Sequence, residues 1–279
     1  MFKIISLVTL LGALFPVAAA FAQNQPVLPN QVGMVAAPPA QDGAALQRNL
    51  ELSAGAQSLS GGFGNWRDLT LRGTYGLPSH VLQGELSQNH RFGEDGTFVG
   101  ISDTYTFNPD WYGSLAVGAG DGAFYLPKLR VDATLYRKFL AARNLVGSVG
   151  VGYYDAPTGY TDRSVSLGAA YYFEAPWVVE GGVRFNTSNP GSVKSRQQFL
   201  ALTWGRAKQD LVTARYGWGS EAYLAVAANS QLVNFNSREA SLSWRHWLTP
   251  STGVLVGANR YTNPSYRRSG VNVGIFHDF

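Results

Sequence analysis

The sequence contains no cysteine and only four histidines among its 279 residues. The absence of cysteine excludes a disulfide framework, a thiolate metal site and the lipidated cysteine of a lipoprotein. Charged residues make up only 14% of the chain, and the formal net charge is +4. A charge this small and dispersed gives no support to nucleic-acid binding. We therefore expect no metal, no cofactor and no nucleic-acid partner.

Long apolar runs are also missing, and the one short run lies at the start of the chain. Lys3, the apolar segment Ile4–Phe15 and the small-x-small pattern Ala20-Phe21-Ala22 predict a secretory signal over residues 1–22. The alternative is a short transmembrane anchor, but the run is below the ~20 residues that span a bilayer. Residues 23–48 contain four prolines and show no period, which predicts a flexible periplasmic lead.

Glycine and aromatic residues are abundant, with 32 Gly, 7 Trp, 14 Tyr and 15 Phe. From about residue 49 onward, the chain consists of strand-length segments in which apolar and polar residues alternate with period two. In one such segment, Trp177, Val179 and Val183 alternate with Glu180 and Arg184. Each segment is close to the ~10 residues of a tilted transmembrane strand.

These segments predict an all-β fold, a transmembrane antiparallel up-and-down β-barrel over residues 49–279 with about 14 strands. Twelve strands is the alternative, if residues 49–76 lie outside the wall. A soluble sandwich also alternates, but its apolar face packs large aliphatic side chains into a core. Here the apolar face carries small residues, alanine and glycine, in places. Aromatic residues cluster near the predicted turns, as in the interfacial girdles of membrane barrels. These aromatic residues are Trp66, Tyr75, Phe107, Trp111, Phe139, Tyr172, Phe173, Trp177, Trp204, Trp218, Trp247 and Tyr261.

The connections alternate in length along the chain. Short ones such as Asn108–Asp110 and Leu248–Ser251 alternate with longer ones such as Tyr154–Asp162. Short periplasmic turns and longer outer loops are typical of outer-membrane barrels, so both termini are expected in the periplasm. The longest connection, about Gly219–Val233, either folds into the mouth and constricts a pore or stands above the membrane as an exposed loop or as extended strands. We favour the exposed arrangement.

Nine charged residues fall at positions that the alternation assigns to the lumen. Pairing of Arg184 with Glu180 and of Arg130 with Asp132 is easy on one strand face. A charge inside a barrel avoids lipid, so the set either braces the wall through ion pairs or lines a polar conduit. The candidate lumen residues are Arg72, Glu85, Arg130, Asp132, Glu180, Arg184, Arg215, Glu239 and Arg245.

An enzymatic site has little support in this sequence. A serine hydrolase needs a histidine beside its nucleophile. Only His90, with Ser87 or Ser102, comes close to that pattern, and no third group orients the histidine. No glycine-rich phosphate loop and no cluster at metal-ligand spacing is present. We expect a protein that is not an enzyme.

The end of the chain carries a family resemblance. The segments Ala214–Tyr223, Trp244–Trp247 and Val273–Phe279 resemble the YaiO-type outer-membrane β-barrel family over about Asn49–Phe279. The resemblance implies an outer-membrane barrel, at times found with surface-polysaccharide machinery, and supplies no catalytic residues.

The last strand also resembles a barrel-assembly signal, formed here by Asn272, Gly274, His277 and Phe279. The histidine at position 277 departs from the usual apolar aromatic residue. The expected partners are therefore the barrel-assembly machinery, outer-membrane lipid and lipopolysaccharide, and surface-polysaccharide export components.

Three functions remain open from the sequence. The first is a conduit for polysaccharide export or passive transport, suggested by the mixed charges of the predicted lumen. The second is a plugged structural or adhesion barrel that acts through the outer loops Thr187–Lys194 and Trp218–Val233. The third, which has the least support, is a lipid-modifying barrel enzyme built on His90.

Overall fold

The computed structural model describes residues 47–174, 176–227 and 230–279, so the predicted signal over residues 1–22 and nearly all of the predicted lead lie outside the described residues. The described strands form one closed barrel in which each strand pairs antiparallel with the next, and β14 pairs with β1. Within these ranges no helix is long and apolar enough to cross a membrane. The strands are β1 (Arg48–Leu59), β2 (Asn65–Gly76), β3 (His80–Arg91), β4 (Glu94–Asn108), β5 (Trp111–Gly120), β6 (Leu129–Phe139), β7 (Leu145–Asp155), β8 (Thr161–Tyr172), β9 (Trp177–Asn189), β10 (Val193–Gly205), β11 (Asp210–Ala227), β12 (Ser230–Trp247), β13 (Thr252–Thr262) and β14 (Arg267–Asp278).

The prediction of a 14-stranded antiparallel barrel is confirmed. The alternative with twelve strands is wrong, because β1 and β2 pair with each other and β1 closes the wall against β14. Both strands carry the same alternation as the rest of the wall, and leaving them out would expose two unpaired strand edges.

Period-two alternation separates the two faces of the wall. On β14, Val271, Val273 and Ile275 are exposed on the outside, whereas Asn272 is buried on the inside. A soluble barrel or sandwich would bury the apolar set, and a membrane barrel turns it to lipid. The outward apolar face therefore excludes the sandwich alternative.

The aromatic residues near the turns divide between the two faces. Tyr75, Phe107, Phe139 and Trp204 are exposed on the outside at the end of the barrel where β1 begins and β14 ends. Rings in this position form an interfacial girdle. By contrast, Trp66, Tyr172, Trp247 and Tyr261 are buried on the inside, so assigning them to a girdle was wrong. Closeness to a turn does not determine whether a side chain faces lipid or the lumen, because successive side chains along a strand point to opposite faces.

The strands extend much further at one end of the barrel than at the other. Strands β11 and β12 have 18 residues each and pair as far as Ala227↔Ser230, so the longest predicted loop is mostly a hairpin. The opposite end has short turns such as residues 109–110 between β4 and β5. We assign the short-turn end to the periplasm and the hairpin end to the cell exterior, as in other outer-membrane barrels.

The seam between β1 and β14 closes the barrel. It runs in continuous register from Asn49↔Asp278 to Leu59↔Arg268. At the periplasmic end, the Asp278 carboxylate accepts hydrogen bonds from Asn49 Nδ2 at 2.7 Å, Trp247 Nε1 at 2.8 Å and Lys208 Nζ at 2.6 Å. One carboxylate thus ties together β1, β12, β14 and the turn before β11.

Gly274 allows the close approach of β14 to β1, which leads to a stability prediction. A Cβ at this position would lie 2.7 Å from the Leu52 carbonyl oxygen and 2.8 Å from the Ser53 Cβ. We expect Gly274→Ala to lower the free energy of unfolding by about 1–3 kcal/mol through overpacking at the seam. Urea unfolding of the refolded barrel followed by tryptophan fluorescence measures this change.

The matched control is Gly84→Ala on β3, where an added Cβ meets nothing within 4 Å. The control is expected to unfold at the same urea concentration as the unmodified chain, or slightly above it. Equal destabilisation by both substitutions would show that the seam is not specially constrained.

Candidate functional site: the lumen and its outer mouth

All nine predicted lumen residues lie on the inner face of the wall. They fall on β2, β3, β6, β9, β11 and β12 at the inward positions of the alternation. Their spacing around the barrel brings them into three groups rather than one site. The sequence-based set also omits inward charges that complete these groups, namely Glu51, Asp68, Arg91, Asp162, Glu221 and Arg268.

The first group is a chain of alternating charges near the periplasmic half of the seam. Arg245 Nη1 lies 3.0 Å from Glu51 Oε2, and Arg72 Nη1 lies 3.6 Å from Glu51 Oε1. Arg72 Nε also donates to Glu85 Oε2 at 2.8 Å. The Arg245 guanidinium lies 3.6 Å from the centre of the Phe276 ring. Residues from β12, β14, β1, β2 and β3 are thereby joined across the inner surface.

The second group forms on β6, β8 and β9. Arg130 Nε donates to Asp132 Oδ2 at 2.6 Å, as the sequence suggests. Arg184 differs from the expectation, because it pairs with Asp132 at 3.8 Å and bonds the Ser164 hydroxyl instead of Glu180. Gly152 on β7 leaves room for these contacts of Arg184, because a Cβ at position 152 would lie only 2.7 Å from Arg184 Nη2.

The third group surrounds Arg215 on β11. The guanidinium of Arg215 lies 4.3 Å from the centre of the Phe199 ring, and Glu239 and Glu180 are the carboxylates whose charges act on it. Glu239 also accepts a hydrogen bond from Arg268 Nη2 at 2.9 Å. This group leads from the lumen toward the outer end of the barrel.

At the outer mouth, where the outer connections meet, two arginines are stacked among aromatic rings. Arg91 is 2% exposed and Arg268 is 0% exposed. Both guanidiniums lie 5.1 Å from the centre of the Trp66 ring, with Tyr125 on the Arg91 side at 5.4 Å and Tyr261 on the Arg268 side at 4.9 Å. Desolvated cation–π contacts of this kind contribute about 2 kcal/mol or more each.

Tyr125 fastens this stack to the wall from the connection between β5 and β6. Burial raises the pKa of Tyr125 to about 12, so the phenol stays protonated near neutral pH. Its hydroxyl donates to the Asn89 carbonyl oxygen at 2.8 Å. The alternation on β3 that marks Glu85 as inward applies equally to Asn89 and Arg91. The same rule applied to β14 would have found Arg268.

The β11–β12 hairpin lies over this mouth. Leu224, at 1% exposed, and Val226 are buried in one apolar cluster with Trp66 and Tyr266. Ala225 packs against a second cluster, which contains Phe124. The favoured arrangement for residues 219–233 is therefore correct in its extended strands, which pair as far as Ala227↔Ser230. It is wrong in expecting exposure, because Glu221–Leu224 and Val226 are buried.

The hairpin also reaches the opposite side of the mouth. The Tyr223 ring lies 4.6 Å from that of Tyr160 in the connection between β7 and β8. The Tyr223 hydroxyl donates to the Pro190 carbonyl oxygen at 2.7 Å, in the connection between β9 and β10. Glu221 accepts a hydrogen bond from Tyr261 at 2.8 Å on the near side. The hairpin is thus held from both sides of the opening.

Aromatic side chains line the periplasmic end of the lumen. Tyr112 and Tyr136 stack with their ring centres 4.5 Å apart, in a buried cluster with Tyr172. On the other side of the barrel, Trp247 and Phe276 meet edge to face at 5.0 Å. Between the apolar packing of the mouth and these rings, the inner surface carries the charge groups described above.

Comparison with protein-family models decides the family. The model described as the YaiO membrane beta barrel domain matches residues 47–224, which is more than half of the 279-residue chain. This chain belongs to the YaiO membrane beta barrel family. The prediction of that family is confirmed, and the protein resides in the outer membrane. None of the curated proteins compared with this YaiO-family chain matches it.

Solved outer-membrane barrels resemble the YaiO-family barrel in fold at low sequence identity. A CymD monoaromatic hydrocarbon channel matches with a TM-score of 0.56 and 7% identity over 84% of this chain and 88% of its own. A bacterial polysaccharide outer membrane secretin matches at 0.52 and 10%, over 82% and 98%. Omp33 of Acinetobacter baumannii matches at 0.50 and 13%, over 85% and 100%. Identities this low establish the barrel architecture alone.

The residues considered for catalysis are not brought together in the YaiO-family barrel. His90 faces outward, where its Nδ1 lies 2.7 Å from Asp95 Oδ1. Ser87 is fully buried on the inner face, and Ser102 bonds Gln83 there. The histidine and either serine are therefore on opposite sides of the wall. Within the described residues, no group of three metal-ligating side chains occurs.

The residues of the expected assembly signal divide between the two faces of β14. Asn272 and Gly274 face the lumen, whereas His277 and Phe279 face outward at the periplasmic rim. His277 Nδ1 lies 2.9 Å from the Thr252 hydroxyl, and its ring lies 4.8 Å from that of Phe279. The outward histidine thus continues the aromatic girdle of this YaiO-family barrel.

A concave area also lies on the lipid-facing side of β1–β7. Its volume is about 1290 Å³, and its lining includes the outward side chains Leu50, Leu82, Ile101 and Leu115. A surface this apolar on the outside of a membrane barrel is covered by lipid. We therefore assign the candidate functional site of the YaiO-family barrel to the lumen.

Proposed function

We propose that this YaiO-family barrel is an outer-membrane conduit closed at its outer mouth by the β11–β12 hairpin. The observation that carries the proposal is the contrast in packing along the barrel axis. At the mouth, Leu224 and Val226 are buried among aromatic rings from several connections. Below them, the inner surface carries ion pairs such as Arg72–Glu85 and Arg130–Asp132. A polar lumen under an apolar lid suits a passage that opens when the hairpin moves.

A glycan is the cargo that the chemistry of the inner surface supports best. Cations and carboxylates are paired there, so neither sign of charge is in large excess to select a small ion. At the periplasmic end, the rings of Tyr112, Tyr136, Trp247 and Phe276 lie next to polar groups but are buried, so their flat apolar faces become available to a cargo only when the packing there opens. Such surfaces suit sugar rings, which have both apolar faces and hydroxyl edges. The fold shared with a polysaccharide outer membrane secretin is compatible with this cargo. The proposal includes surface-polysaccharide export components as partners and no enzymatic activity.

Single-channel recording in a planar bilayer tests the conduit. The unmodified chain is expected to be closed for most of the recording time. In the test variant, residues 222–234 are replaced by Asn-Gly, which joins Glu221 to its register partner Phe235 in a two-residue hairpin. We expect this variant to show sustained large openings, because the side chains that close the mouth are gone.

The possible results separate the competing functions. Silence from a correctly folded shortened variant would overturn the conduit and leave the plugged structural or adhesion barrel. If the variant conducts, neutral oligosaccharides added on the periplasmic side are expected to reduce its current. Conduction without any such block would remove the glycan cargo and leave passive transport.

A further inference from the structure

Three arginines form a cluster on the outside of the barrel near its outer end. Arg238 on β12, Arg260 on β13 and Arg267 on β14 occupy outward positions of the alternation, and all three are exposed. They belong neither to the lumen nor to the hairpin packing. We call these three residues the outer arginine cluster.

Strand register places these arginines close together. Arg238 and Arg267 are both register partners of Thr262, one on each side of β13. Since neighbouring strands are ~4.8 Å apart, their Cα atoms lie about 10 Å apart. Arg260 is two residues from Thr262 on the same face of β13, about 7 Å along the strand. The three side chains therefore converge on one area of the outer wall.

The position of Arg267 is additionally fixed through its main chain. The Arg267 N–H donates to the Ser60 hydroxyl at 2.9 Å, and the Arg267 carbonyl oxygen accepts from the Ser60 N–H at 2.9 Å. The cluster is thus built on a paired part of the wall and not on a free loop.

The positive charge of this area is not balanced on its own face. Within the described part of β12, β13 and β14, the outward positions include no aspartate or glutamate. The nearest outward hydroxyl groups are those of Thr262 and Ser269, which are donors suited to an anion. Three like charges repel one another, so the arrangement favours binding of a polyanion.

The cluster lies at the border of the membrane. On the same three strands, an apolar band follows at outward positions nearer the periplasm, with Leu242 on β12, Val256 on β13 and Val273 on β14. Arginines directly above such a lipid-facing band reach the headgroups of the outer leaflet. In an outer membrane, the outer leaflet presents the phosphorylated headgroup of lipopolysaccharide.

We propose that the outer arginine cluster is a binding site for the phosphates of lipopolysaccharide. The guanidinium group suits this ligand, because it pairs with phosphate through two parallel N–H···O bonds. The acyl chains of the same molecule would lie along the apolar band formed by Val256, Val273 and their outward neighbours. The site orients the barrel in the outer leaflet and is separate from the proposed conduit.

Native mass spectrometry of the purified, folded full-length barrel tests this site, with lipopolysaccharide added in a defined detergent. The test variant is R238Q/R260Q/R267Q, which removes the three charges and keeps a polar, hydrogen-bonding side chain at each position. We expect its affinity for lipopolysaccharide to fall by roughly a hundredfold, since each basic residue near an anionic surface contributes about a factor of five. The unmodified barrel is expected to lose a similar amount of affinity toward dephosphorylated lipopolysaccharide.

The matched control is R137Q. Arg137 is also an exposed, outward-facing arginine, but it lies at the periplasmic rim over the rings of Trp111 and Phe139. The control is expected to bind lipopolysaccharide like the unmodified barrel. Unchanged binding by the triple variant, an equal loss in R137Q, or equal binding of the dephosphorylated ligand would each overturn the proposal. If the triple variant does not fold, R238Q and R267Q are measured singly against the same control.

Discussion

Removal of Phe279 alone is expected to abolish insertion of this barrel and to leave the chain in the periplasm, where it is degraded. Phe279 is 74% exposed on the outer side of the periplasmic rim, so its ring contributes little to packing within the folded protein. The Phe279 N–H donates to the Arg48 carbonyl oxygen at 2.9 Å, which completes the seam beyond the last paired residues of β14. An exposed ring at the end of the closing strand suits recognition by the barrel-assembly machinery.

The measurement is the amount of heat-modifiable barrel in isolated outer membranes after expression of the shortened chain. Phe173→Ala is the matched control, because Phe173 is another exposed aromatic residue on the outside at the same end. We expect the control to insert normally. Normal insertion without Phe279 would show that the end of the chain does not act as an assembly signal, and equal loss in the control would point to the girdle in general.

Arg268→Met is expected to produce the largest loss of stability among single substitutions in the lumen, roughly 3–5 kcal/mol in the free energy of unfolding. Arg268 is 0% exposed, and its guanidinium donates to Glu239 at 2.9 Å and stacks between Trp66 and Tyr261. Removing the cation leaves the Glu239 carboxylate without this partner in a poorly solvated place. The loss of a buried partner costs more than the pair itself contributes.

A double-mutant cycle isolates this interaction. Urea unfolding of Arg268→Met, Glu239→Gln and the double variant gives the coupling free energy. We expect the double variant to be less destabilised than the sum of the single effects, because neither charge is then left alone. Additive effects would show that the cation–π contacts of Arg268, and not its ion pair with Glu239, account for its contribution.

The alternation of side chains was sufficient to place charged residues on the inner face. Glu85 and Arg91 lie on β3 at the same parity, and both face inward. The period-two alternation therefore identifies Arg91 as a lumen residue just as it identifies Glu85, and no further signal was needed to find it. The alternation did not predict which charges form ion pairs. Arg184 pairs with Asp132 on β6 and not with Glu180 on its own strand. That choice depends on the gap at Gly152 on β7, one of the two strands between β6 and β9.

The sequence by itself determined the outer-membrane barrel, its approximate number of strands and the period-two rule that places successive residues on opposite faces of the wall. These properties are local, because period two and segment length follow from the geometry of a single strand in lipid. Only the tertiary structure decided that the β11–β12 hairpin packs over the mouth, that Trp66 lies beside both Arg91 and Arg268, and which charges pair across the lumen. These contacts join strands that are far apart in the chain. They depend on the register and stagger with which the sheet closes, which no single segment encodes.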